Sequence, residues 1–177
     1  MPASPPPSVS FYPLRLEDPK AVYLSAERFR VRGDGLADDS DAIQRAIDTV
    51  QETVGQGVLF IPEGRYRLTK TLTVWPGVRL IGYGAKRPVF LLADRTPGYA
   101  ETERLVVFFA GRRGNGQKAE QPPIPEGVGR TAGDFGLPAD ANPGTFYSAM
   151  SNVDLEIGEG NPAAVGVRGR YAQHCYL

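Results

Sequence analysis

Opposite charges cancel in this chain: 20 lysines and arginines stand against 20 aspartates and glutamates. That balance removes the electrostatic footprint by which proteins find nucleic acid or an anionic membrane surface. Cysteine is nearly missing. Cys175 stands alone, so no disulfide can form within the chain. No run approaches the roughly 20 apolar residues of a membrane span. The first ten residues, Met1-Pro-Ala-Ser-Pro-Pro-Pro-Ser-Val-Ser10, have neither a basic start nor an apolar stretch, so they do not read as a secretory signal. There is one histidine, His174, and one tryptophan, Trp75. A lone histidine without a partner motif reads first as structural, although an imidazole titrates in the range that suits a general base.

Glycine and proline are plentiful instead. They number 21 and 16, about a fifth of 177 residues, where average usage is about 12%. The excess suits a turn-rich all-β chain, and the length suffices for one domain with a core. Residues 29–48 organise the rest. Phe29 to Arg32 reads as a short β-run, Gly33-Asp34-Gly35 as a turn, and Asp38-Asp39-Ser40 as the acidic start of a helix over 41–53. Ala42, Ile43, Ala46, Ile47 and Val50 recur at helical spacing. A side-chain oxygen at Asp39 or Ser40 would accept from first-turn amides, and negative charge there suits the helix dipole. Apolar or alternating runs follow at 58–61, 65–68, 71–74, 78–81 and 89–92, parted by glycine or proline turns. One helix before many short strands reads as a lid on the open end of a β-structure. Gly64, Gly77, Gly82 and Gly84 read as positive-φ turn positions. Leu105-Val-Val-Phe-Phe-Ala110 reads as a strand buried on both faces. The pattern then lapses into a loop insertion at about 111–145. Strands resume at 153–157, 165–168 and 172–177.

Three blocks carry a family resemblance: Phe29-x-Val-Arg-Gly-Asp-Gly-x-Ala-Asp-Asp-Ser-x-Ala-Ile-Gln-x-Ala-Ile47, then Gly57-Val-x-Phe-Ile-Pro-Glu-Gly-x-Tyr66, then Val78-Arg-Leu-Ile-Gly-Tyr-Gly84. In this order they resemble the start of the pectate lyase-like superfamily. The nearest subgroup holds glycoside hydrolase family 55 exo-β-1,3-glucanases and epimerase-like pectate lyase domains. Met150-Ser-Asn-Val-Asp-Leu-Glu-Ile-Gly158 onward is similar to the same subgroup. The resemblance implies an all-β fold: a right-handed single-stranded parallel β-helix with an N-terminal capping α-helix, truncated here at its C-terminus. Residues 1–24 would be an extended proline-rich arm and 25–177 the first coils. It also implies an extracellular setting and a polysaccharide substrate, with missing coils or a second β-helix domain as partner, and self-association otherwise.

Several residues are candidates for chemistry. Asp154 and Glu156 share one face of a strand, with Cα atoms about 6.5–7 Å apart, a separation in the general range of glycosidase carboxyl pairs. They and His174 are the catalytic candidates within this stretch. Arg65 and Arg67 share an outward face and could grip a uronate carboxylate, and Trp75, at a strand end, could stack on a sugar. No metal ligand set is read. Asp34, Asp38, Asp39 and Asp41 would suit calcium by chemistry, but not by spacing. The aspartate motifs of polygalacturonase-type hydrolases, and the calcium-aspartate and arginine set of pectate lyases, are absent. The expectation is therefore an N-terminal portion of a carbohydrate-active enzyme whose main catalytic residues lie elsewhere, with a glycoside hydrolase ranked before a lyase and calcium needed only for the lyase. The alternative is a non-catalytic glycan-binding or structural β-helix.

Overall fold

The computed structural model describes residues 8–111, 140–141, 145–170 and 174–177. In chain order the elements are β1 (Val22–Tyr23), α1 (Ala26–Phe29), β2 (Asp34–Asp38), α2 (Ser40–Val54), β3 (Gly57–Pro62), β4 (Arg65–Leu68), β5 (Leu72–Val74), β6 (Val78–Tyr83), β7 (Val89–Leu92), β8 (Arg104–Phe109), β9 (Ala149–Ser151), β10 (Asp154–Ile157) and β11 (Ala164–Arg168). They form three sheets, ordered β1-β3-β6-β9, β2-β4-β7-β10 and β5-β8-β11. All pairings between these strands are parallel. Parallel neighbours need long crossovers. Here the crossover is a visit to the other two sheets: the chain runs β3, β4, β5, then β6, β7, β8, then β9, β10, β11. One strand per sheet per circuit is the pattern of a parallel β-helix.

The inward positions follow the two-residue period of a strand. Leu59 pairs with Leu80, and Tyr66, Phe90 and Leu155 stack in one register. Strand β8 is buried on both faces, as its composition implies. Val107 and Phe109 join the main core, while Leu105, Phe108 and Ala110 form a second cluster with Trp75 and Val165. Helix α2 buries Ala42, Ile43, Ala46, Ile47 and Val50 in the main core. Each isoleucine so buried contributes about 1.5–3 kcal/mol.

The start of α2 differs from the expectation. Asp39 occupies the N-cap position but makes no cap hydrogen bond. Its carboxylate reaches back and accepts from the amides of Arg32 (2.7 Å) and Gly33 (2.9 Å). That clasp shapes the chain before it. The β-run read at 29–32 is not a strand: Phe29 ends a helical turn (Ala26–Phe29), and the strand lies later, at Asp34–Asp38, overlapping the turn read at Gly33–Gly35. Gly33 and Gly35, with φ of 63° and 75°, carry the bend. The Ser40 hydroxyl donates to Asp38 (2.6 Å) and accepts from the Thr69 amide (2.8 Å), tying the helix start to the next coil.

Two of the four glycines read as positive-φ positions have another cause. Gly77 and Gly84 do adopt positive φ, but Gly64 and Gly82 do not. A Cβ at Gly82 would lie 2.0 Å from the Asn152 carbonyl oxygen, and one at Gly64 3.1 Å from the Tyr66 ring. The approach of the next coil requires glycine at 82, and at 64 the Tyr66 ring and the Gly33 carbonyl of the preceding coil leave little room for a side chain.

The stretch read as an arm also meets the coils. β1 lies within it and joins the first sheet. Residues 8–12 run along the corner between the first and second sheets. Val9 bridges Lys86, the Gly84 amide donates to the Tyr12 carbonyl (2.9 Å), and the Phe11 amide donates to Asn152 Oδ1 (2.9 Å). Phe11 and Leu14 stay exposed, at 71% and 77%. Main-chain hydrogen bonds, not the apolar side chains, hold this segment. Most of the insertion read at 111–145 lies outside the described residues. Where the chain is described again, Asp140 sits in an ion pair with Arg168 (2.8 Å), their side chains 12% and 14% exposed. Of the strand read at 172–177, residues 172 and 173 lie outside the described set, and the rest holds only an isolated parallel bridge from Tyr176 to Ala149.

Candidate functional site

The outer face of the second sheet gathers most of the charged candidates. Its registers stack Asp34, Arg65, Val89 and Asp154 in one row, and Asp38, Arg67, Leu91 and Glu156 in the next. Strand alternation points these residues outward because Tyr66, Leu68, Phe90 and Leu92 are needed inside.

Asp154 and Glu156 are both held by arginines. Arg65 Nη2 lies 2.9 Å from Glu156 Oε2, passing over β7. Arg87 Nη1 lies 3.3 Å from Asp154 Oδ1. The other Asp154 oxygen accepts from the Ser8 amide (3.2 Å). Arg87 also donates through Nε to the Val9 carbonyl (3.2 Å), and its guanidinium lies 4.6 Å from the Phe11 ring centroid. The N-terminal segment is thus stitched to the site.

A cavity of about 300 Å³ opens beside these pairs, lined by Glu63, Gly64, Arg65, Lys86, Arg87 and Val89. Three cations meet one carboxylate there. The Glu63 carboxylate accepts from the Lys86 amide (3.1 Å), and the Lys86 ammonium has no ion pair among the described residues. The site can therefore take an anionic group.

The remaining candidates are placed elsewhere or otherwise engaged. Arg67 turns away from the carboxylates, donating to the Leu36 carbonyl (3.0 Å). Trp75 donates its indole N–H to Asp48 of α2 (2.7 Å) and packs against both apolar clusters, the arrangement of an anchor. His174 is exposed, has a φ of 61°, and stacks on Tyr147 with ring centroids 5.3 Å apart. It lies with the strands of the first sheet, so the structure does not bring it together with Asp154 and Glu156. Lys86 and Arg87 were not foreseen. The available signal was the adjacent basic pair just before Pro88, which precedes a strand as Glu63-Gly64 does one coil earlier.

The acids that suggested calcium are engaged by the protein. Asp34 Oδ1 accepts from the amides of Leu36 (2.8 Å) and Ala37 (2.9 Å), which holds that carboxyl below the usual range. Burial tends to raise Asp38, but hydrogen bonds from Ser40 and Thr69 outweigh it and hold its carboxyl low. Asp39 clasps two amides and Asp41 pairs with Lys70 (2.8 Å). Calcium takes about six to eight oxygen ligands, and these four acids do not fit that role. No group of three or more His, Cys, Asp or Glu able to hold a metal ion occurs among the described residues.

Known proteins bear on this arrangement. The chain is 37% identical over 82 residues to mannuronan C5-epimerase AlgE3 of Azotobacter vinelandii, covering 42% of this chain and 4% of that protein. It is 33% identical over 97 residues to alginate lyase 7 of the same organism, covering 51% and 10%. It is 38% identical over 60 residues to a glucan 1,3-beta-glucosidase of Cochliobolus carbonum, covering 34% and 7%. The chain thus spans a small part of the curated relatives it matches. Residues 23–174 match the family described as rhamnogalacturonase A/epimerase, pectate lyase-like. With most of its length inside that match, and with one strand per sheet in each circuit, the chain belongs to the rhamnogalacturonase A/epimerase, pectate lyase-like family.

Proposed function

We propose that this chain is the substrate-gripping part of a polysaccharide-modifying enzyme, and that its substrate is a polymer bearing uronate carboxylates. One observation carries the proposal: Arg65, Lys86 and Arg87 converge on a cavity of about 300 Å³ beside two carboxylate–arginine pairs. Lys86 offers a sugar carboxylate an ammonium that has no ion pair among the described residues. Asp154 and Glu156 act here as positioning residues that hold Arg87 and Arg65 open to the ligand. The reading takes the coils as right-handed, with α2 covering their N-terminal end, and assigns no bond-breaking residue to this stretch.

A uronate substrate also changes the order of reactions expected from the sequence. Cations paired with the sugar carboxylate stabilise charge that develops when the adjacent carbon loses its proton. That favours a lyase or an epimerase over a hydrolase. The names of two of the relatives, a mannuronan epimerase and an alginate lyase, support the same ranking.

Calorimetric titration of the whole chain with trimannuronate, against neutral cellotriose, tests the grip. Hydrogen bonds to charged groups contribute about 1.5–3 kcal/mol, so Lys86→Gln or Arg87→Gln should weaken trimannuronate binding about tenfold or more. Equal binding of cellotriose, or full affinity in both variants, would refute it.

A further inference from the structure

A second cavity lies on a different face, over the first sheet. Its volume is about 520 Å³, and Asp18, Lys20, Gln56, Val58, Arg79 and Tyr147 are among its walls. That is within the roughly 300–1,000 Å³ usual for small-ligand sites. We infer that this cavity is a separate binding site for an acidic sugar, with Arg79 as its anion anchor and Tyr147 as its ring platform. The inference does not rest on the function proposed above.

Arg79 is the main observation. It sits mid-strand on β6, on the outward face, flanked in register by Val58 and Ala149. Its Nε is buried without a hydrogen-bond partner, and none of its side-chain nitrogens is paired among the described residues. A guanidinium carries five donors and no acceptor, and leaving a buried donor unmade is costly. Arg65, Arg87 and Arg168 all face carboxylates at 2.8–3.3 Å. Arg79 faces none of them. The acid in its own cavity, Asp18, instead accepts from the Lys20 amide (2.9 Å). The Tyr23 hydroxyl fixes that turn by accepting from the Asp18 amide (2.8 Å) and donating to the Leu16 carbonyl (2.8 Å). Lys20 adds a second cation without an ion pair among the described residues. Such a pair of cations suits one carboxylate.

The wall chemistry narrows the ligand further. Tyr147 is 48% exposed and is backed by His174, whose ring lies nearly parallel at 15°. A braced, half-exposed phenol offers its surface to the C–H face of a pyranose. Gln56 and Asp18 can accept from ring hydroxyls. A neutral sugar would leave Arg79 unpaired, and an inorganic anion would leave Tyr147 unused. A sugar acid uses both. His174 thereby acts as a positioning residue for Tyr147, which gives a role to a histidine that the structure does not bring together with Asp154 and Glu156.

The test is an NMR titration of the ¹⁵N-labelled whole chain with trimannuronate. Amides of Gln56, Gly57, Val58 and Arg79 should shift, and Arg79→Gln should weaken that response at least tenfold. Tyr147→Ala, a change at an exposed position, should weaken it as well while the spectrum stays folded. Arg87→Gln should leave it unchanged. The amides of Arg65 and Arg87 report the other site in the same titration, so failure of either site is seen separately. The inference is overturned if the first group of amides stays still, if Arg79→Gln binds as well as wild type, or if inorganic phosphate or adenosine monophosphate shifts them at lower concentration than the sugar acid.

Discussion

Asn152 holds three parts of the molecule at once, and its removal should cost far more than a turn residue usually does. It follows β9 directly, is 7% exposed, and has a φ of 56°. Its Oδ1 accepts from the Phe11 amide (2.9 Å). Its Nδ2 donates to the Ser10 hydroxyl (2.8 Å) and to the Gly82 carbonyl (2.8 Å). The side chain therefore ties the N-terminal segment to the second and third coils, two residues before Asp154. Asn152→Ala deletes all three bonds, each contributing about 0.5–1.5 kcal/mol net. It also puts alanine in the left-handed region at about 1–2 kcal/mol. The expected loss is about 3–5 kcal/mol, which for a chain of this size lowers Tm by roughly 6–20 °C.

Asn152→Gly separates the two causes. It loses the same hydrogen bonds but relieves the backbone, so it should be about 1 kcal/mol less damaging than alanine. Thermal and urea unfolding followed by circular dichroism measure both. Hydrogen exchange at the Phe11 amide should accelerate in either variant, because its acceptor is gone. A cost below about 1 kcal/mol for Asn152→Ala, or a glycine variant no more stable than alanine, would refute the reasoning.

Two other perturbations follow from the ion pairs and the low-pKa acids. Arg168→Ala breaks the ion pair of the nearly buried Asp140 carboxylate, and breaking such a pair costs about 3–5 kcal/mol. The double variant Arg168→Met/Asp140→Leu should be clearly more stable than Arg168→Ala in urea unfolding. Asp34 and Asp38 have carboxyls held below their ordinary values in the folded chain. Their contribution is therefore full above the unfolded carboxylate pKa near 4 and is lost as pH falls through the lower folded values. Asp38→Asn should flatten the loss of stability below about pH 4 relative to wild type. An unchanged slope would exclude Asp38 from it.

The stacked β-architecture was legible because its signals are local and repeated. Strands β3 to β11 run three to six residues with alternation, and glycines or prolines part many of them, so β4 and β7 fall at the positions read. The helix face from Ala42 to Val50 was legible for the same reason. What failed depends on a distant partner. Asp39 looks like a cap by position, but the free amides of Arg32 and Gly33 compete for its carboxylate and win. Gly82 looks like a turn glycine, yet its constraint is a carbonyl 70 residues away in the next coil. The candidate site divides likewise. Arg65 and Glu156 share a face by strand period alone, whereas Arg87 joins them from a turn whose geometry no periodicity sets.

The two outer faces also dispose of charge differently, and that difference decides how each can bind. In stacked coils, outward residues in one register lie about 4.8 Å apart, and like charges placed directly together repel. The second sheet puts no like charges in adjacent positions: Asp34 and Asp38 meet Arg65 and Arg67, and Val89 and Leu91 separate those arginines from Asp154 and Glu156. Those apolar side chains give the arginine stem a surface to lie on, so Arg65 crosses β7 to reach Glu156 while Arg67 turns back toward β2. A ligand there must share Arg65 and Arg87 with the acids that already hold them, which lowers the gain from those two contacts. The first sheet places Arg79 between Val58 and Ala149 instead. With no acid above or below Arg79 in register, the same anion should gain more from it than from Arg65 beside Glu156.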